Sequence, residues 1–147
     1  MAPTILIVED NEHDLYLLTH ALQRAGVKNP VKSVRSGAEL TKYLMGIGDY
    51  RDRQAYPLPE LIFLDLRLHD MQGTDVLRFL KGQKDFDGIT VLIWSAAVGQ
   101  VDAEELKDLE IRCRVLKPYS QDLLNSTVRG LNDFLAAEGF PRTLQFA

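Results

Sequence analysis

The chain has 147 residues, 46% of them hydrophobic and 26% charged, with a formal net charge of -4. That length suits one domain around one core, and that composition is globular rather than disordered. No basic block marks a nucleic-acid surface, no apolar run is long enough to cross a bilayer, and the single cysteine, Cys113, excludes an internal disulfide or a cysteine zinc set.

The first residues lead straight into a strand-like run, Ile5–Val8, with no signal-peptide layout, so a cytoplasmic location is expected. Leu15, Leu18, Leu22 and Ala25 then recur at helical spacing, and Gly26 stops that helix. Val31–Val34 is a short second strand. Ser36-Gly37-Ala38-Glu39 has the layout of a capping box and opens a helix to about Met45. The stretch from Gly46 to Pro59 is the longest loop. Leu61–Leu64 is the third strand, and Val76, Phe79 and Leu80 mark the helix after Gly73, a glycine read as supplying backbone freedom. Ile89–Trp94 is the fourth strand, Val101–Leu109 a polar helix, and Ile111–Leu116 the fifth strand. Ser120 caps a last helix with Leu124, Val128, Leu131 and Leu135 on one face.

Strands that alternate with helices imply an α/β fold, a parallel sheet covered on both faces. Right-handed crossovers leave few topologies, and sites in such sheets lie at the carboxyl ends of the strands. That rule lines Glu9, Asp10, Asp65, Ser95 and Lys117 along one edge. One domain is expected over 1–147, with its core over about 4–137 and a tail over 138–147.

Asp65 is the candidate nucleophile, because a carboxylate can accept a phosphoryl group as an acyl phosphate. An Asp after a strand is also a common turn or cap residue. Glu9 and Asp10 sharpen the reading. Adjacent acids brought near a third repel one another and attract a hard cation such as Mg2+. By themselves the pair also fits a solvated helix start. Lys117, ahead of Pro118, can reach Asp65 or its phosphate. Ser95 can donate a hydroxyl, and the small Ala96 leaves room for it.

The order and placement of Val8-Glu9-Asp10, Leu64-Asp65, Gly73, Ser95-Ala96 and Lys117-Pro118 resemble the receiver domains of two-component response regulators, over about Thr4 to Leu135. The resemblance implies the flavodoxin-like strand order 2-1-3-4-5. It implies that Asp65 is the phosphoacceptor, that Ser95 is the switch hydroxyl and that Lys117 holds the phosphate. It assigns Mg2+ to Asp10, Asp65 and the backbone carbonyl of Arg67, with Glu9 assisting. The implied donor is a sensor histidine kinase and the implied output is binding of a downstream protein. Within the family, Ile7-Val8-Glu9-Asp10-Asn11, the long second helix and loop through Gly48-Asp49-Tyr50 to Pro59, and Leu61–Leu66 are similar to the small receivers that serve bacterial phytochrome kinases.

Two positions depart from the family pattern: Arg114 replaces the usual Tyr or Phe of the switch, and His69 stands where many receivers have proline. Arg67 and Ala97 occupy the positions that tune water access. Two further readings of the same topology fit poorly. An aspartyl phosphatase of the haloacid dehalogenase type needs an acid where Arg67 stands. A flavin module needs a hydroxyl-rich loop where Glu9-Asp10-Asn11-Glu12 would repel a phosphate. A receiver-like scaffold that ignores phosphate stays open on Arg114. His13, His20 and His69 show no metal-ligand spacing. The tail Phe140–Phe146 carries more apolar residues than a frayed end needs; it either folds back on its own domain or, with the last helix, packs on a second copy as a homodimer.

Overall fold

The computed structural model describes residues 2–95, 114–118 and 120–147, with backbone alone at Ser95 and at 114–116. Five parallel strands form one sheet in the order β2-β1-β3-β4-β5. They are β1 (Ile5–Val8), β2 (Val31–Val34), β3 (Leu61–Leu64), β4 (Thr90–Ser95) and β5 (Arg114–Leu116). In register, Ile5 lies between Val31 and Leu61, and Val8 lies between Val34 and Leu64. The expected fold class and strand order are therefore observed.

Every residue of β1 and β3 is buried, as continuous apolar runs in a doubly covered parallel sheet should be. Alternation divides their side chains between two cores. Leu6, Val8, Ile62 and Leu64 pack under α2 (Gly37–Met45) and α3 (Gly73–Lys81). Ile5, Ile7, Leu61 and Phe63 pack under α1 (Glu12–Arg24), α4 (Gln121–Arg129) and α5 (Leu131–Ala137). Trp94 is buried in that second core, edge-on to Phe63 with ring centroids 5.7 Å apart.

Gly26 and Ser36 act as the sequence predicts, and Asn11 adds a cap that the sequence reading did not name. Asn11 caps α1 by accepting from the Asp14 amide at 2.9 Å, and Gly26 turns the chain away with φ +79°. Ser36 caps α2 by accepting from the Glu39 amide at 3.0 Å, while Glu39 reaches back to accept from the Arg35 amide at 3.2 Å. The α2–β3 loop is better built than its composition suggests. It contains a 3-10 turn at Gly48–Tyr50, and Tyr43, Tyr50 and Tyr56 pack ring to ring at 5.0–5.9 Å. Arg53 closes the C-terminus of α2 by donating to the carbonyls of Tyr43 and Leu44 at 2.7 and 2.6 Å.

Two expectations need correction. The last helix is two helices, α4 and α5, which meet at Gly130 (φ -92°, ψ 3°). The apolar stripe passes through the break unbroken, because Leu124, Val128, Leu131 and Leu135 all stay in one core. The core also runs past 137, because the tail of the same domain adds Leu144 to it. Leu144 is 3% exposed, and Phe146 bridges to Val27. The Lys28 amide donates to Gln145 O at 2.7 Å, and the Asn29 side chain holds both Thr143 O and the Gln145 amide, at 3.1 and 2.7 Å. Asn132 likewise grips both backbone groups of Leu144, at 2.7 and 3.0 Å. Of the two readings of the tail, the fold-back is the one observed. The polar helix over 101–109, Ala96, Ala97 and Cys113 lie outside the described residues.

Candidate functional site

The sheet ladder runs one residue past β1 and β3. The Glu9 amide donates to Val34 O at 3.1 Å, and the Asp65 amide donates to Val8 O at 3.2 Å. Those two bonds fix Glu9 and Asp65 at the carboxyl edge, where both are buried. Asp10 follows at the mouth. Glu9, Asp10 and Asp65 each offer a carboxylate oxygen, and these oxygens lie within 4.8 Å of one another.

Lys117 reaches this group from the far end of the sheet. Its ammonium donates to Glu9 Oε1 at 2.5 Å, Asp65 Oδ2 at 3.0 Å and Asp14 Oδ2 at 3.1 Å. An ammonium has three N–H donors, so it is fully satisfied. Burial alone would lower the Lys117 pKa, but the hydrogen bonds it donates to Glu9 and Asp65 reverse this and raise it. The second Asp65 oxygen, Oδ1, accepts from the Arg67 amide at 2.9 Å.

One ammonium does not balance these acids. Burial is the main cause that pushes the Glu9 carboxyl up to about 7; the nearby Asp65 adds to it, and Lys117 opposes it. Among the described residues, Glu9, Asp14 and Asp65 share Lys117, and Asp10 has only an imidazole, His69 Nδ1, at 3.5 Å from its Oδ2. A part-buried set of hard oxygens with negative charge left over fits a hard divalent cation. The donor set therefore suits the cation that the sequence implied.

The loop that follows Asp65 is a tight hairpin. Arg67 bridges to Gln72, and the Gly73 amide donates to Leu66 O at 3.0 Å. A Cβ on Gly73 would stand 2.6 Å from the Leu66 Cα, against backbone that cannot yield. Gly73 is thus required for close approach beside the site, not for the backbone freedom first read into it.

A family profile described as the response regulator receiver domain matches residues 5–129. The chain belongs to that family. It is 28% identical over 130 residues to response regulator Rcp1 of Synechocystis sp., a match covering 88% of this chain and 86% of Rcp1. Among solved structures it is similar to the phosphorylated cyanobacterial phytochrome response regulator RcpA. That likeness has 30% identity and a TM-score of 0.81, and covers 94% of this chain and 96% of RcpA. The Mn2+-bound form of Rcp1 is also similar, at 27% identity and a TM-score of 0.77, with 90% and 93% of the two chains covered.

Of the receiver residues read from sequence, Glu9, Asp10, Asp65 and Lys117 come together, with the Arg67 backbone beside them. Ser95 ends β4 in register with Leu116, one residue before Lys117, so its backbone stands at the same edge; its side chain lies outside those described. Arg114 begins β5, and its side chain also lies outside those described. The sequence reading missed Asp14. It looks like any acid in a first helical turn, yet one turn of α1 after Asp10 brings it to Lys117. His69, read as lacking metal-ligand spacing, stands at Asp10 across the hairpin. No helix among the described residues is long and apolar enough to cross a membrane.

Proposed function

We propose that this receiver accepts a phosphoryl group on Asp65 from a phosphohistidine of a sensor histidine kinase, in a phytochrome pathway. The observation that carries the reading is the Lys117 ammonium, 3.0 Å from Asp65 Oδ2 across 52 residues of sequence. In the transfer, an Asp65 carboxylate oxygen attacks phosphorus. The new P–O bond forms as the P–N bond breaks, and the electron pair stays on the departing imidazole. Lys117 is placed to follow charge onto the phosphoryl oxygens, and the Arg67 amide keeps Asp65 from rotating. Glu9, Asp10, Asp65 and the Arg67 carbonyl are the proposed ligands of Mg2+, which when bound neutralises charge on the transferring group. The Ser95 hydroxyl is proposed as the switch donor.

Phosphorylation adds charge and acceptor oxygens at Asp65, and a downstream protein reads the result. The phytochrome assignment is supported by the likeness to Rcp1 and to RcpA. A cytoplasmic location and a homodimer belong to the same reading. The exposed Leu123 of α4 and Phe146 of the tail are the apolar side chains on these elements that a second copy could cover. Arg114, in place of an aromatic switch residue, supports a second reading: a scaffold whose binding ignores phosphate.

The test is incubation with Mg2+ and acetyl phosphate, followed by intact-mass measurement of the wild type and Asp65→Asn. The wild type is expected to gain one phosphoryl mass and the variant none. A wild type that gains nothing would remove the phosphoacceptor reading. Partner binding unchanged by Asp65→Asn would favour the scaffold.

A further inference from the structure

The hairpin after Asp65 touches more than the site. At its tip, Asp70 accepts from two backbone amides of α2, Gly37 N on Oδ1 and Ala38 N on Oδ2, both at 3.0 Å. Slight burial opposes the effect, yet those amides hold the Asp70 carboxyl below its ordinary range. The next side chain, Met71, lies so close over Gly37 that a Cβ there would meet its sulfur at 2.3 Å. The tip is therefore fixed to the first turn of α2 by two charge-assisted hydrogen bonds and a close apolar contact. At its base, the same hairpin holds Asp65 through the Arg67 amide, and along its length His69 stands at Asp10. One short, backbone-paired unit thus bears on two acids of the carboxylate cluster and on the start of α2.

We propose that Asp70 is a positioning residue for the cation site, and that its grip links cation occupancy to the order of the first turn of α2. The inference rests on the cation reading above. The physical reason is that a hairpin anchored at its tip cannot swing its base. Ligand-bearing backbone held by an outer partner keeps its geometry before the cation arrives. Linkage is reciprocal: if Asp70 raises cation affinity, the cation must tighten the Asp70 contact to the same extent.

The sequence supplies its own control. Ser36 caps the same helix, accepting from the Glu39 amide at 3.0 Å, but belongs to the β2–α2 connection and not to the hairpin. Asp70→Ala and Ser36→Ala both remove a cap from α2, and only the first releases the hairpin. Calorimetric titration of the full chain with Mg2+ should show Asp70→Ala binding about 5-fold more weakly than the wild type, the low end of typical coupling. Ser36→Ala should stay near the wild type. Asp70→Asn, which keeps one acceptor, should fall between. By hydrogen exchange, Mg2+ should slow the Gly37 and Ala38 amides in the wild type but not in Asp70→Ala.

Equal Mg2+ affinity in Asp70→Ala and wild type would overturn the proposal, as would equal weakening by Ser36→Ala. A wild type that takes up Mg2+ normally but gains no phosphoryl mass would defeat the phosphoacceptor reading and leave this one standing. A wild type that binds no Mg2+ would overturn both.

Discussion

The two ends of the sheet are built by the same device and put to opposite uses. At the amino end, Asn29 holds three backbone groups from the two ends of the chain, accepting from Gln145 and donating to Pro3 and Thr143. At the carboxyl end, Lys117 draws together Glu9, Asp14 and Asp65. Each is a polar hub joining residues far apart in sequence. The amino-end hub is neutral and closed, every donor matched by an acceptor. Among the described residues, the carboxyl-end hub leaves negative charge over, which is the property a cation site needs. Substitutions should therefore separate: stability is lost at one end, and function at the other.

The largest expected effect is at Asp65. Asp65→Asn should abolish the phosphoryl mass gain altogether. It should also melt no lower than the wild type when metal-free, because the change removes one of the crowded charges. A large drop in melting temperature would contradict the view that this end is built against stability.

Next come the residues of the amino end. Leu144→Ala should cost about 3 kcal/mol, as for other leucines emptied from a packed core. Asn29→Ala strips partners from three backbone groups and should cost roughly 2–3 kcal/mol. Both are read from urea midpoints, and both variants should still take a phosphoryl group on Asp65. If either loses phosphorylation while still folded, the two ends are not independent. A chain ending at Ala137 should be destabilised by more than either substitution. A drop in apparent mass without destabilisation would instead return the tail to an interface.

Much of this was legible in the sequence because the sheet is covered on both faces. Runs such as Ile5–Val8 and Leu61–Leu64 have little choice but to be central strands, and strand ends then place Glu9, Asp65 and Lys117 on one rim. The features missed are those whose partner is remote and whose local signal is ordinary. Asp14 and Asp70 look like helix-start and turn acids, and nothing near them in sequence names Lys117 or the α2 amides. Asn29 and Asn132 look like loop and helix-surface amides until the tail arrives. Gly130 was hidden for another reason: the apolar period continues across it, so the break between α4 and α5 leaves no trace in the pattern.

The smallest expected effect is a pH dependence that bears on the same contrast. Metal-free, the folded state holds the Glu9 carboxyl up near 7, against an ordinary value of 4.5. Between those two pH values the folded chain binds the proton that the unfolded chain has released. The stability from this group is therefore fully present below about pH 4.5 and is lost as pH rises through about 7. The unfolding free energy of the metal-free protein, read from urea titrations, should fall between pH 5.5 and 7.5 by on the order of 1 kcal/mol. Glu9→Gln, which carries no titrating proton, should lose this part of the slope. Mg2+ should act in the opposite sense, since it competes with the proton for the same oxygens and favours the ionised acid. In the wild type its affinity should rise across that window, so the cation stabilises most where the metal-free chain is weakest. A midpoint independent of pH, with Mg2+ affinity also flat, would mean that Lys117 already balances the rim and that the two ends of the sheet differ less than their geometry implies.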